Sequence, residues 1–221
     1  MKRASYNRRM TQSSTTRIPS IALILVAAFA CGLGLFVAQR YFSTPKQPQL
    51  QAALLYPQPR EIPDFTLAQA NGKPLTKADW RGHWTLIFFG YTSCPDVCPT
   101  TLAVFKQAWG DLVKLGLNPR IQIDFISVDP QRDTPEQLKK YVTFFSADFI
   151  AATGSDEELT RITRGTGQMF TRGVDAKGNV EVDHSASVVI VNPQAQVAGM
   201  FRPPLLATVI VADLQTLLKA E

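Results

Sequence analysis

Two of the three cysteines in this 221-residue chain lie four positions apart and directly follow an apolar segment. Cys94 and Cys98 flank the tripeptide Pro-Asp-Val, and residues 83–91 before them read HWTLIFFGY, which is typical of a buried strand. Thiolates attack disulfides, and they also bind soft metal ions. The pair is therefore a candidate for a redox-active dithiol, a metal site or a structural disulfide.

The elements predicted around the cysteines place them between a strand and a helix. The helix is predicted from Pro99 to Leu115, because proline suits a first helical turn and apolar residues then recur at helical spacing. The N-terminus of a helix carries unpaired N–H groups and partial positive charge, and both favour thiolate over thiol. This location supports redox and metal chemistry equally.

The spacing of the pair separates the alternatives in part. Redox enzymes with a thioredoxin-like fold use Cys-x-x-Cys, whereas one more residue lies between Cys94 and Cys98. The longer loop allows the two sulfurs to surround an ion, although it also permits a disulfide. A structural disulfide across so short a loop would restrict the unfolded chain little and would therefore add little stability.

The chain contains two histidines, His83 and His184. His83 precedes the strand that leads to the cysteines and lies about a strand length away from them. His184 precedes a predicted strand over residues 187–192 that should run beside the cysteine strand, so we expect it at the rim that faces the sulfurs. Two sulfurs and one imidazole suit copper(I) or copper(II), whereas a closed structural zinc site needs four protein ligands.

Strands and helices alternate through the rest of the chain. The patterns predict a hairpin around Asn71-Gly72, a strand over residues 120–129, helices that follow Thr134 and Ser155, a hairpin around Gly178-Asn179 and a C-terminal amphipathic helix. This order predicts a partly parallel sheet covered on both faces. We therefore expect an α/β, thioredoxin-like domain over residues 61–221, with an N-terminal hairpin extension and an inserted hairpin.

The net charge of +5 belongs to the N-terminal part of the chain. Residues 1–59 contain seven Lys or Arg and no acid, and the remaining residues contain 16 basic and 18 acidic side chains. The main part of the chain therefore does not have the basic surface that nucleic-acid binding requires. No nucleic-acid partner is expected.

An apolar segment follows the basic tail of residues 1–17. Residues 18–40 are long and apolar enough to cross a bilayer as a helix, and residues 41–60 form a linker rich in proline and glutamine. Because basic residues stay on the cytoplasmic side, we expect a single-pass anchor in the cell inner membrane and a periplasmic domain. Cleavage after residues 28–30 (Ala-Phe-Ala) and lipidation of Cys31 are alternatives, but the apolar run continues past both.

Three segments, in order, resemble the Sco/SenC family of membrane-anchored copper proteins. They read GYTSCPDVCPTTL (90–102), ISVDPQRDTPEQLKKYV (126–142) and VDHSASVVIVNP (182–193), and their flanks extend the resemblance over roughly residues 54–219. The resemblance implies a thioredoxin-like fold. It also implies a function in building the binuclear copper centre of cytochrome c oxidase, as a metal donor, a thiol reductant or both.

The resemblance further implies a set of site residues. Cys94, Cys98 and His184 would hold one copper ion per chain, as Cu(I) or Cu(II). The family's acid between the cysteines falls on Asp96, which either lies close to the metal or caps the following helix.

Apart from the resemblance, Asp129, Arg132 and Asp133 in VDPQRDTP (128–135) form either a salt-bridge cluster in a loop beside the site or a surface that faces a partner. We expect the structural cluster, with Asp129 in the surroundings of the metal.

The expected partners are the copper-accepting subunit of cytochrome c oxidase or another copper chaperone. The leading hypothesis is a copper donor that is not an enzyme. One alternative is a membrane-anchored thiol–disulfide oxidoreductase, in which Cys94 and Cys98 form the catalytic pair. Another is a peroxide-reducing thiol enzyme that attacks through Cys94.

Overall fold

The computed structural model describes residues 20–42, 48–174 and 180–220. The chain divides into two compact units, residues 1–46 and residues 47–221. Helix α1 (Ser20–Phe42) belongs to the first unit, and its residues Ile21–Tyr41 are long and apolar enough to span a membrane. The basic tail predicted for residues 1–17 lies outside the described residues.

The second unit is built from alternating strands and helices. Its strands are β1 (Ala53–Glu61), β2 (Thr66–Gln69), β3 (Pro74–Thr76), β4 (Trp84–Gly90), β5 (Ile121–Ser127), β6 (Ile150–Thr153), β7 (Phe170–Val174), β8 (Val180–His184), β9 (Val188–Val191) and β10 (Gln196–Phe201). Its helices are α2 (Val97–Lys114), α3 (Pro135–Phe145), α4 (Asp156–Thr166) and α5 (Ala207–Lys219). Short 3₁₀ helices occupy Lys77–Trp80 and Asn118–Arg120.

Within the described residues, eight strands form one mixed sheet in the order β1-β10-β9-β4-β5-β6-β2-β3. β4, β5 and β6 are parallel and are joined by the crossover helices α2 and α3. β2 and β3 form the predicted hairpin, which extends the sheet beyond β6. β7 and β8 form the predicted inserted hairpin, although its turn, residues 175–179, lies outside the described residues. The α/β, thioredoxin-like fold is confirmed.

The central strand β4 is buried on both faces of the sheet. Leu86 and Phe88 pack on one face with α2, α3 and α5, while Ile87 and Phe89 pack on the other face with α4 and the 3₁₀ helix at Trp80. A strand that is covered on both faces has no polar side, which explains the unbroken apolar run before the cysteines. The strand therefore provides a rigid support for the loop that follows it.

Strand β1 differs from the prediction, because composition predicts a linker up to residue 60. β1 pairs with β10 through Ala53–Leu55 and again through Arg60–Glu61, with a shift in register between the two stretches. Pro57 and Pro59 lie in that interval, where they need not donate to a neighbouring strand. The proline content thus indicates an interrupted edge strand in this part of the predicted linker.

A carboxylate from the far end of the chain holds the start of β1. Asp213 of α5 is buried, and its oxygens accept the N–H groups of Gln51, Ala52 and Ala53 at 2.7, 2.9 and 2.8 Å. Hydrogen bonds to a charged acceptor are stronger than those between neutral groups. This contact fixes the place where the polypeptide enters the second unit.

A second buried acid lies on the parallel strands. Asp124 of β5 is 1% exposed, and its Oδ2 accepts hydrogen bonds from Trp80 Nε1 at 2.7 Å and Gln122 Nε2 at 3.1 Å. Its Oδ1 is buried without a hydrogen-bond partner among the described residues. Burial raises the pKa of this carboxyl from 3.8 to about 7, although the two hydrogen bonds act in the opposite direction.

The Asp124→Asn variant is expected to be more stable than the wild type at alkaline pH. Below about pH 4 the carboxyl is protonated in both the folded and the unfolded chain, so it contributes no pH dependence there. Between about pH 4 and pH 7 the unfolded chain releases the proton and the folded chain retains it, so wild-type stability falls as the pH rises. The variant should gain about 2 kcal/mol in free energy of unfolding. The proton linkage alone would give more, but the buried amide nitrogen that replaces the unpaired oxygen costs part of that gain.

Urea unfolding of the full-length chain in detergent, at about pH 5 and pH 8, measures this difference. The wild type should lose stability between the two pH values more steeply than the variant. Equal slopes for the two proteins would contradict the prediction.

Candidate metal centre

The cysteine pair lies where β4 leads into α2. β4 ends at Gly90, and α2 begins at Val97, two residues before the predicted start. Cys98 is therefore inside the first turn of the helix. Cys94 lies in the preceding loop, where its N–H donates to the carbonyl oxygen of Tyr91 at 3.3 Å.

The structure brings Cys94, Cys98 and His184 together. Their two sulfurs and one ring nitrogen lie within 4.8 Å of one another, and His184 Nε2 is 3.5 Å from Cys98 Sγ. Both cysteines are free, without a disulfide between them. Cys98 is fully buried, whereas Cys94 and His184 are partly exposed, so the centre is accessible from the side of the latter two.

The ring of His184 is held in a defined orientation at the end of β8. Its Nδ1 is 3.2 Å from the carbonyl oxygen of Ser185, and the rings of Phe88 and Tyr91 meet it edge-on with centroid distances of 5.8 and 5.9 Å. When Nδ1–H donates to that carbonyl, Nε2 presents its lone pair to the sulfurs. Burial lowers the pKa of His184, although the hydrogen bond with the Ser185 backbone and the charge of Asp183 act in the opposite direction. The neutral imidazole, which is the form that can bind a metal, is therefore favoured.

The environment of Cys98 differs from the expectation that the helix N-terminus favours thiolate. Burial raises the pKa of this thiol far above its ordinary value; a hydrogen bond with the Tyr91 backbone opposes the rise, and Cys94 adds to it. The sulfur belongs to an apolar cluster that includes Leu102 and Phe125, so desolvation outweighs the field at the helix end. The metal-free centre therefore holds Cys98 as a neutral thiol, and a bound cation must displace its proton.

Asp96 and Asp129 lie outside the group of converging ligand atoms found among the described residues. Asp96 takes the N-cap position of α2, but its exposed side chain makes no capping hydrogen bond and instead accepts from the Thr100 hydroxyl at 3.4 Å. Asp129 is buried and forms an ion pair with Arg132, whose guanidinium lies 5.6 Å from the centroid of the Tyr91 ring. Arg132 and Tyr91 thus lie between Asp129 and His184 in one chain of contacts.

Asp133 supports the cysteine loop, whereas the sequence indicates only that it belongs to a charged cluster beside the site. Its fully buried carboxylate accepts the N–H and the hydroxyl of Thr92 at 2.9 and 2.5 Å, and the hydroxyl of Ser127 at 2.5 Å. It thereby ties the cysteine loop to the carboxyl end of β5. The charged segment VDPQRDTP pointed to this region, but nothing local identifies Thr92 as the partner.

Two other residues considered from the sequence are not part of the centre. His83 directly precedes Trp84, the first residue of β4, and so lies at the end of the strand opposite to the cysteine loop. Cys31 belongs to α1, in the other compact unit. Among the described residues, the group at Cys94 contains no atom of His83.

Comparison with known proteins extends the similarity over almost the whole second unit. The SCO1/SenC family model matches residues 55–219. An SCO2-like protein of Rickettsia typhi is 33% identical over 175 residues, which cover 77% of this chain and 84% of that protein. The mitochondrial SCO2 homologue of Mus musculus is 34% identical over 173 residues, which cover 77% of this chain and 68% of that protein.

A solved structure shows the same architecture. Copper-bound ScoI of Bradyrhizobium japonicum superimposes with a TM-score of 0.64 at 31% identity, over 70% of this chain and 98% of ScoI. The matched family region begins in β1 and ends at the last residue of α5, so it contains the mixed sheet, the cysteine loop and the hairpin that ends at His184. This chain belongs to the SCO1/SenC family.

Proposed function

We propose that this chain binds one copper ion per molecule through the sulfurs of Cys94 and Cys98 and Nε2 of His184. The observation that carries the proposal is the convergence of these three atoms within 4.8 Å. Two thiolates select Cu(I), and an imidazole also accepts Cu(II), so the set can hold both valences. The copper-bound state of the 31% identical ScoI supports the choice of metal.

The arrangement favours transfer of the ion as well as its binding. Three protein ligands leave room for a fourth, and Cys94 and His184 are partly exposed, so an acceptor thiolate can coordinate before any protein ligand leaves. Cys98 is buried and its pKa is raised, so its sulfur takes up a proton as the ion departs. The acceptor thiol releases a proton as it binds copper, which balances the exchange.

We further propose that the acceptor is the copper-binding subunit of cytochrome c oxidase or another copper chaperone, and that transfer serves the assembly of the oxidase. Helix α1 would anchor the chain in the inner membrane with the second unit in the periplasm, as the five basic residues before the helix favour. Confinement at the membrane surface raises the effective concentration near a membrane-bound acceptor.

The two sulfurs of Cys94 and Cys98 lie within 4.8 Å of each other, and this proximity favours thiol–disulfide exchange as a second function. The accessible sulfur of Cys94 would attack a partner disulfide and form a mixed disulfide, releasing one partner thiolate. Cys98 would then pass its thiol proton to the first released partner thiolate, attack the sulfur of Cys94, release the second partner thiolate and leave a Cys94–Cys98 disulfide. Two electrons pass to the partner in this sequence, and the pair needs an external thiol reductant before another cycle.

Anaerobic copper loading of the full-length chain in detergent tests the first function. We expect one Cu(I) per wild-type chain after removal of free metal, and no retained copper in the Cys94→Ser/Cys98→Ser double variant, because the imidazole alone is a weak site. A Cys31→Ser variant is the control and should load fully. A wild-type chain that holds no copper while Cys94 and Cys98 are reduced would overturn the copper proposal.

A further inference from the structure

An apolar groove opens beside the metal centre, between α2 and α3. Its volume is about 550 Å³, and its lining includes Thr92, Pro99, Lys140, Tyr141, Phe144 and Phe145. Phe144 is 76% exposed, although large aromatic side chains are usually well buried. A groove of this volume can hold a bulky side chain together with the backbone that carries it.

The groove adjoins the segment that carries the two cysteines. Thr92 belongs to the loop that carries Cys94, and Pro99 directly follows Cys98. The backbone N–H and the hydroxyl of Thr92 are both bound by the buried Asp133, so this wall of the groove is held in place. A polypeptide that occupies the groove therefore lies against the same loop and first helical turn that carry the cysteines.

Lysines border the groove. Lys140 lines it, and Lys106 Nζ lies 5.6 Å from the centroid of the Phe144 ring and donates to the Phe144 carbonyl oxygen at 3.2 Å. Among its lining residues in the described part of the chain there is no Asp or Glu. An apolar surface with a cationic border favours a partner that presents an apolar side chain next to negative charge.

We propose that this groove binds a segment of the copper acceptor that carries one bulky apolar side chain and neighbouring carboxylates, a few residues from the metal-accepting cysteines. The inference rests on the proposed copper transfer, which requires an acceptor at this rim. The apolar side chain packs on Tyr141 and Phe144, and the carboxylates pair with Lys140 and Lys106. Docking in this way holds the acceptor thiol beside Cys94, so the transfer occurs within a complex.

Copper transfer from the full-length, copper-loaded chain to two synthetic peptides tests the inference. The first peptide carries one Trp and two Asp beside a Cys-x-x-x-Cys pair, and the second has Lys in place of both Asp. The acidic peptide should half-saturate transfer at about a tenfold lower concentration, and Lys140→Glu should reverse this preference. Phe144→Ala should raise the half-saturating concentration of the acidic peptide about tenfold. Neither residue contributes a ligand atom, so the copper content of both variants should equal that of the wild type.

A third peptide separates the groove from the transfer function. It is the acidic peptide with Ser in place of both Cys, and it should bind the copper-free wild type but not Phe144→Ala, as measured by calorimetry. Binding of this peptide, together with no copper transfer to either cysteine peptide, would support the groove and overturn the proposed function. Equal transfer to both cysteine peptides by all variants would overturn the groove inference. Loss of self-association in Phe144→Ala, with peptide binding unchanged, would also overturn it, because the groove would then join two copies of the chain.

Discussion

The His184→Ala variant is expected to lose Cu(II) affinity by more than about 100-fold. Removing a residue that only hydrogen-bonds to a metal ligand costs roughly 10–100-fold, and here the ligand itself is removed. His184 supplies the single nitrogen among the three converging atoms, and imidazole is the ligand here that suits Cu(II). Cu(I) affinity should fall less, since two thiolates remain. Chelator competition on the full-length chain, carried out separately for each valence, measures both effects.

His83→Ala is the matched control, because this histidine lies at the opposite end of β4 from the cysteine loop. It should keep the wild-type Cu(II) affinity. Both variants should also retain most thiol–disulfide exchange, since both sulfurs remain. A His184→Ala protein that binds Cu(II) as tightly as the wild type would remove this residue from the ligand set.

The Gly90→Ala variant is expected to lose copper affinity although it changes no ligand. A methyl group at Gly90 would lie 2.6 Å from Cys98 Sγ and 2.8 Å from Phe125 Cε2. Both side chains are buried, and the Phe125 ring already packs on Phe88 and Tyr141, so neither can withdraw without repacking the core. We expect a loss of about 3 kcal/mol in stability. Copper affinity should fall about 10–100-fold, because the displaced Cys98 sulfur no longer converges with the ligand atoms of Cys94 and His184.

Gly110→Ala in α2 is the control for this substitution, since a methyl group there meets no atom within 4 Å. Alanine favours the helix by about 0.5–1 kcal/mol relative to glycine, so this variant should be as stable as the wild type or slightly more stable. Urea unfolding and Cu(I) competition on both variants provide the two readouts. Wild-type values for Gly90→Ala in both experiments would contradict the close packing of Cys98 against β4.

Much of the fold follows from signals that act over a few residues. The Asn71-Gly72 turn lies between β2 and β3, and Gly72 has a φ of +82°, which glycine adopts without strain. Thr134 and Gln137 form the predicted capping box at the start of α3. The apolar run of β4 and the turn and cap residues depend on neighbours in sequence, so pattern and composition identify them.

Local patterns were less informative where a distant residue decides the structure. β1 pairs with a strand at the other end of the domain, and the N–H of Ala53 reaches an acceptor 160 positions away in Asp213. The predicted start of α2 is two residues late, because Pro99 fits the first turn equally well when Val97 begins the helix. At β1 tertiary pairing overrides what composition indicates, whereas at α2 the local signal fits both starts equally well.

The sequence by itself determined the chemistry available to this protein: two thiols spaced to surround an ion, one histidine before the neighbouring strand, and an apolar segment long enough to span a membrane. Only the tertiary structure decided how those groups behave. It brings His184 Nε2 to Cys98 Sγ across 86 positions, anchors Thr92 on Asp133 across 41 positions, and encloses Cys98 so that its thiol stays protonated. The physical reason is that orientation, desolvation and hydrogen-bond pairing depend on which surfaces meet when the chain is packed, and residue types and spacing do not specify those surfaces.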